Sequence, residues 1–109
     1  MPKHEFGIMD VAPVKGQRFD KYQPEKYNCI SVDDAYIFPL SERLSEMPFY
    51  WHTLDVTGRG LAYRGITLIA PQSAEAMIPF TENAEKLKGL NALLKKAVAQ
   101  NCFVIHFGI

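Results

Sequence analysis

The sequence predicts a single α+β domain with elements in the order β-α-β-β-α-β, folded into one antiparallel sheet of four strands. Three observations lead there. Runs at Tyr27–Val32, Phe49–Asp55, Leu61–Ala70 and Cys102–Ile109 carry the apolar, period-2 character of strands. Apolar residues at helical spacing fill the two longer gaps between those runs. The middle two runs are separated only by Thr57-Gly58-Arg59-Gly60, which has the chemistry of a hairpin turn.

Residues 1–26 read as an N-terminal extension packing on the domain, and residues 27–109 as the domain itself. Pro2, Pro13 and Pro24, with Gly7 and Gly16, break any long element, so a short strand at Glu5–Met9 is the only regular structure expected there. Phe6, Phe19 and Tyr22 make the segment too aromatic for a free tail and favour its burial against the domain. In the first strand, Ile30 and Val32 face one side, Cys29 and Ser31 the other. Asp33 and Asp34 then supply an N-cap and negative charge to a helix whose buried stripe is Ile37, Leu40, Leu44 and Met47. Pro39 fits that helix only in its first turn, and Pro48 ends it.

With Gly58-Arg59 as a two-residue turn, Thr57 pairs with Gly60 and Phe49 with Leu68. Phe49, Trp51 and Asp55 then share the helix-covered face with Ala62, Ile66 and Leu68. Tyr50, His52 and Leu54 share the other face with Tyr63, Gly65 and Thr67. A slip of one residue on either strand would exchange its faces. After Pro71, Ser73 caps a short helix broken at Pro79, and Thr81 caps a longer one buried through Ala84, Leu87, Leu90, Leu94, Ala97 and Val98. The last strand sends Phe103, Ile105, Phe107 and Ile109 to the helix side and Cys102, Val104 and His106 to the open side. Trp51, Phe103, Ile105, Leu87 and Leu94 are expected to meet in one core.

This element order is the split-βαβ, ferredoxin-like arrangement, with strands in spatial order 4-1-3-2 and helices on one face. Its open face would hold Tyr50, His52, Tyr63, Gly65, His106 and Cys29, the candidate binding residues. Imidazoles, a thiol and phenols among aliphatics suit a binding surface or dimer interface better than plain solvated surface. Gly65, opposite His52, would leave a dimple there. His52 and His106, on edge strands about 14 Å apart, are too distant to share a metal that needs about 2 Å to each. His106 and Cys29 would be neighbours on adjacent strands, a Cys–His pair.

Other chemistries find little support. Twelve basic and twelve acidic residues among 109 cancel, so no global field attracts nucleic acid or anionic membrane. The N-terminus lacks a signal-peptide pattern, and no apolar run approaches the roughly 20 residues of a membrane span. Two cysteines without CxxC spacing suit reduced thiols and a cytoplasmic location. No dinucleotide, Walker, zinc or triad pattern is present, so neither cofactor nor metal is expected. Arg59–Ile66 partly resembles the third-strand signature of the RNA-recognition-motif family in its Arg59, Gly60, Ala62 and Tyr63. Leu61 stands where that family has an aromatic, Arg64 where it has an aliphatic, and Cys29 where a base would stack.

In topology the chain is similar to small regulatory modules that associate through their sheets, and to dimeric α/β-barrel proteins enclosing a small-molecule cavity. The first reading is a non-enzymatic interaction module acting through the open sheet face by self-association or with a protein partner. The alternative is a small-molecule-binding or oxygenase-type dimer using His52, Tyr63 and His106.

Overall fold

In the computed structural model, which describes residues 2–109, the chain runs through β1 (Lys3–Ile8), β2 (Ile30–Asp33), α1 (Asp34–Arg43), β3 (Pro48–Trp51), β4 (Thr57–Arg59), β5 (Ile66–Ile69), α2 (Pro71–Thr81), α3 (Lys88–Gln100) and β6 (Val104–Phe107). Short 3-10 turns at Pro24–Tyr27 and Glu85–Leu87 precede β2 and α3. The strands form one six-stranded sheet in the order β2-β1-β6-β5-β3-β4, antiparallel at every pairing. The α+β class stands. The four-stranded ferredoxin-like sheet in order 4-1-3-2 does not.

Two strands make the difference. β1 lies inside the sheet, between β2 and β6, pairing Phe6 with Ile30 on one side and with His106 on the other. It therefore separates strands that the ferredoxin-like order would place together. β4 arises because the chain reverses at 52–56, earlier than the glycines suggest. His52 takes a left-handed φ of 63° there, and Phe49 then pairs with Gly58. Gly58 is needed within β4, because the Trp51 indole lies against it and leaves no room for a Cβ. That indole donates Nε1–H to the Gly60 carbonyl at 3.0 Å.

β3 and β5 do pair antiparallel, one residue away from the expected register: Tyr50 faces Leu68 and Trp51 faces Thr67. The slip exchanges the faces of β5. Phe49 does point to the helices, but with Ile69 rather than Leu68. β6 is inverted too, with Val104 in the helix-side core and Ile105 and Phe107 on the far side. Leu87 and Leu94 thus belong to one core and Ile105 to another, while Trp51 and Phe103 are half-buried.

All three helices cover one face, sending Ile37, Leu40, Ala74, Met77, Leu90 and Leu94 onto Phe6, Val32, Phe49 and Val104. Asp33 caps α1 by accepting the Ala35 N–H at 2.8 Å. Pro39 sits in the second turn of α1 instead of its first, so the bond its amide would have made to the first turn is missing. On the other face Met9, Ile66, Leu68, Ile105 and Phe107 form a second cluster, closed over by Phe19, Tyr27, Cys29 and Leu54. The sheet face expected to be open is covered by the chain's own residues.

Candidate functional site

The feature with the most chemistry is a chain of side-chain hydrogen bonds through the helix-side core. β1 alternates, and His4 and Phe6 take the positions facing the helices. His4 is fully buried. Its Nε2 lies 2.9 Å from Asp34 Oδ1, at the start of α1, and its Nδ1 lies 2.9 Å from His106 Nε2 on β6. His106 Nδ1 is 3.0 Å from the hydroxyl of Thr67 on β5, and that hydroxyl accepts the Ala62 N–H at 2.8 Å. At the outer end the Tyr63 hydroxyl donates to the same Asp34 oxygen. The two imidazole planes are 15° apart with centroids 5.1 Å apart. With nitrogens at 2.9 Å, that places the rings end to end through N–H···N rather than face on.

The direction of the chain follows from its ends. The Asp34 carboxylate only accepts, so His4 carries its hydrogen on Nε2. With one proton per ring, His4 Nδ1 accepts from His106 Nε2–H, and His106 Nδ1 accepts from the Thr67 hydroxyl. Every member is then satisfied, and no buried side-chain nitrogen or oxygen among the described residues lacks a partner. That completeness is what makes a buried polar network tolerable in an apolar core.

Electrostatics separate the inner and outer ends. Burial, with His4 adding to it, pushes the His106 imidazole down to about 3, so it is neutral at ordinary pH. The Tyr63 hydrogen bond, then that of His4, holds the Asp34 carboxyl below its usual range. Burial, then Asp34, pushes the Tyr63 phenol up to about 12. General acid–base work near neutrality needs a group poised near the working pH and able to reach substrate. Asp34 and Tyr63 reach the surface but are moved away from neutrality. His4, His106 and Thr67 are sealed inside. Among the described residues no group of three or more His, Cys, Asp or Glu is arranged to hold a metal ion.

The structure distributes the six candidate residues between two sides of the sheet. His106 and Tyr63 meet through His4 and Asp34 on the helix side. His52 belongs to the far side, where Nδ1 contacts the Phe19 carbonyl at 3.0 Å and an Asp20 oxygen at 3.0 Å, while Nε2 accepts the Ile66 N–H at 3.4 Å. Gly65 does adjoin His52, but the ring occupies the space: a Cβ there would lie 2.7 Å from Nε2. Tyr50 packs toward Phe103 in the far-side cluster, ring centroids 6.4 Å apart. Cys29 is half-buried in that cluster, its thiol pushed up to about 12 by burial first and by Glu5 and Glu25 next. It is no neighbour of His106, because β1 lies between their strands and the two side chains occupy opposite faces.

His4, Asp34 and Thr67 are the members that sequence reasoning missed. His4 could have been found, since it alternates in step with Phe6. Asp34 was hidden by its neighbour: Asp33 does the capping, which leaves Asp34 for the histidine. Comparison with protein-family models, curated proteins and solved structures finds no match to this chain.

Proposed function

We propose that this chain is a non-enzymatic interaction module that self-associates through the flank of α1. The observation supporting this reading is Phe38, which is 56 % exposed on α1, edge-on to Tyr63 with centroids 6.3 Å apart. It borders a depression of about 320 Å³ lined by Ser41, Ser45, Arg59, Gly60, Leu61 and Tyr63. A protruding ring beside a partly apolar hollow is self-complementary, because a two-fold contact can seat each ring in the other copy's hollow. The sealed position of the histidines argues in the same direction. The sheet face, first expected to carry the contact, is filled by residues 10–29. A cytoplasmic setting accords with Cys29 and Cys102 both being free thiols, and no described helix is long and apolar enough to cross a membrane.

A second reading, small-molecule binding, is favoured by a groove of about 460 Å³ between the Pro24–Tyr27 turn, the β1–β2 edge and α3. Ile8, Ile30 and Leu93 line it with Lys26, Lys96 and Asp10, a composition suited to a small polar molecule with an apolar body.

Sedimentation velocity over a concentration series tests the first reading. Phe38→Ala should leave unfolding unchanged within about 0.5 kcal/mol, as for a surface residue. It should weaken association at least about tenfold, or about 1.4 kcal/mol. A wild-type chain that stays monomeric throughout, or equal association of both proteins, would contradict it.

A further inference from the structure

Between His4 Nδ1 and His106 Nε2, at 2.9 Å, there is room for one hydrogen. An additional proton on His4 Nδ1 would set two N–H groups against each other. On His106 Nδ1 it would meet the Thr67 hydroxyl hydrogen, which must then turn away from its side-chain acceptor. The shared hydrogen can cross to His4, leaving an imidazolium against the Asp34 carboxylate. The closed arrangement therefore holds at most one extra proton, since a second would place two buried imidazolium rings in contact.

We propose that the His4–His106 pair is a proton-operated latch. Carrying at most one extra proton, it ties β1 and β6 to the start of α1 and to Tyr63, and protonation of both rings releases that corner. The location suits local opening. His4 is near the start of β1, where the Pro2 carbonyl also accepts the Asp34 N–H at 3.1 Å. Around the pair, α1 contributes Asp34 and the 60–65 segment contributes Tyr63 and Arg64, the latter acting on Tyr63. β2 sets uncharged Val32 opposite His4, and β5 sets Thr67 opposite His106. Lys3, Glu5 and Asp33 occupy the alternate strand positions. Among the described residues Asp34 is thus the single counter-charge in contact with the pair, enough for one cation and not for two.

The sign follows from proton counting. Separated rings each take a proton, so opening takes up at least one more than the closed pair can hold. The latch is closed above the ordinary imidazole pKa of about 6.5 and weakens as pH falls from there toward about 3, where burial holds His106. Each proton taken up on opening raises the opening constant tenfold per pH unit. Tyr63 also lines the hollow beside Phe38, so opening would alter that surface. The latch itself stands whether or not the chain self-associates, because its readout is local.

Amide exchange of His4, Glu5, Phe6 and Asp34, corrected for intrinsic rates and followed from pH 7.5 to 5, tests it on the whole chain. The wild type should show opening constants rising about tenfold per unit below pH 6.5. His106→Gln, which can still donate to His4 but cannot be protonated, should lose about that much slope. Equal slopes would overturn the latch. If His106→Gln does not fold, ring-nitrogen titration of the wild type decides instead. His106 should stay neutral until the corner amides lose protection, both in one step. Protonation of His106 near pH 6.5 with protection intact would overturn the proposal.

Discussion

The two faces of this sheet are closed in different ways. On the helix side the cover satisfies most of its backbone within the helices, and the buried polar side chains are the chain from Tyr63 to Thr67 together with Thr81, which bonds within the helical layer. On the far side the cover is residues 10–29, with no regular element longer than a 3-10 turn. Its backbone must find partners elsewhere. Phe19 N–H donates to the His52 carbonyl at 2.8 Å, and Gly16 N–H to an Asp55 oxygen at 2.8 Å. The Tyr22 hydroxyl adds a bond to the buried Glu5 carboxylate, and its phenol is pushed up to about 12 by that bond first and by burial next. Both covers are held by packing plus pins, but the helical one needs them only at side chains, Asp34 to His4 and the Ser73 hydroxyl to the Pro48 carbonyl, whereas the irregular one depends on them for its backbone as well. Losing one pin should loosen the second cover without unfolding the first.

Core truncation tests whether both faces are equally dry. Phe49→Ala on the helix side should cost about 3–5 kcal/mol in urea unfolding, and Ile105→Ala on the loop side about 2–5 kcal/mol. Both side chains are about 1 % exposed. A loss for Ile105→Ala below about 0.5 kcal/mol, the size of an ordinary surface change, would show that residues 10–29 do not seal that face.

A smaller effect should distinguish pin from packing. The Cβ added by Gly65→Ala would displace the His52 ring that holds the Phe19 carbonyl. Overpacking of this kind costs about 1–3 kcal/mol. Limited proteolysis should show faster cleavage within residues 10–29, with the helical layer still protected. Uniform loss of protection across the chain would mean that the two covers are one cooperative unit.

The same contrast explains which parts of the fold were legible. Helix stripes were readable because a helix buries one side, and Ile37, Leu40 and Leu44 lie where their spacing puts them. Helix ends were not: α2 starts at Pro71 and runs through Pro79 to Thr81, and α3 starts at Lys88 rather than at a Thr81 cap. Strand faces were readable at β2 and β3, near the sheet edges, where Val32 and Phe49 are buried and Ser31 is exposed. They failed at β5 and β6. Every residue of ITLI and VIHF is buried, so alternation carries no information about which face meets the helices. β1 escaped notice as an interior strand because His4 and Glu5, polar and buried, disguise KHEFGI as a surface segment. The hairpin turn was misplaced because Gly58 resembles turn chemistry, whereas its actual role is to accommodate Trp51. The candidate site was half legible for the same reasons. Tyr63 and His106 were singled out, but for the face opposite the helices, and the residues joining them lie on a strand and a helix start read as extension and cap.

The directed chain from Tyr63 to Thr67 can be read at both of its rings by histidine ring-nitrogen NMR of the wild-type protein at pH 7.5. His4 and His106 should both be Nε2–H tautomers, each with an unprotonated Nδ1 accepting a hydrogen bond. A ring of this pair bearing its hydrogen on Nδ1, or His106 titrating as a freely exposed imidazole, would contradict it.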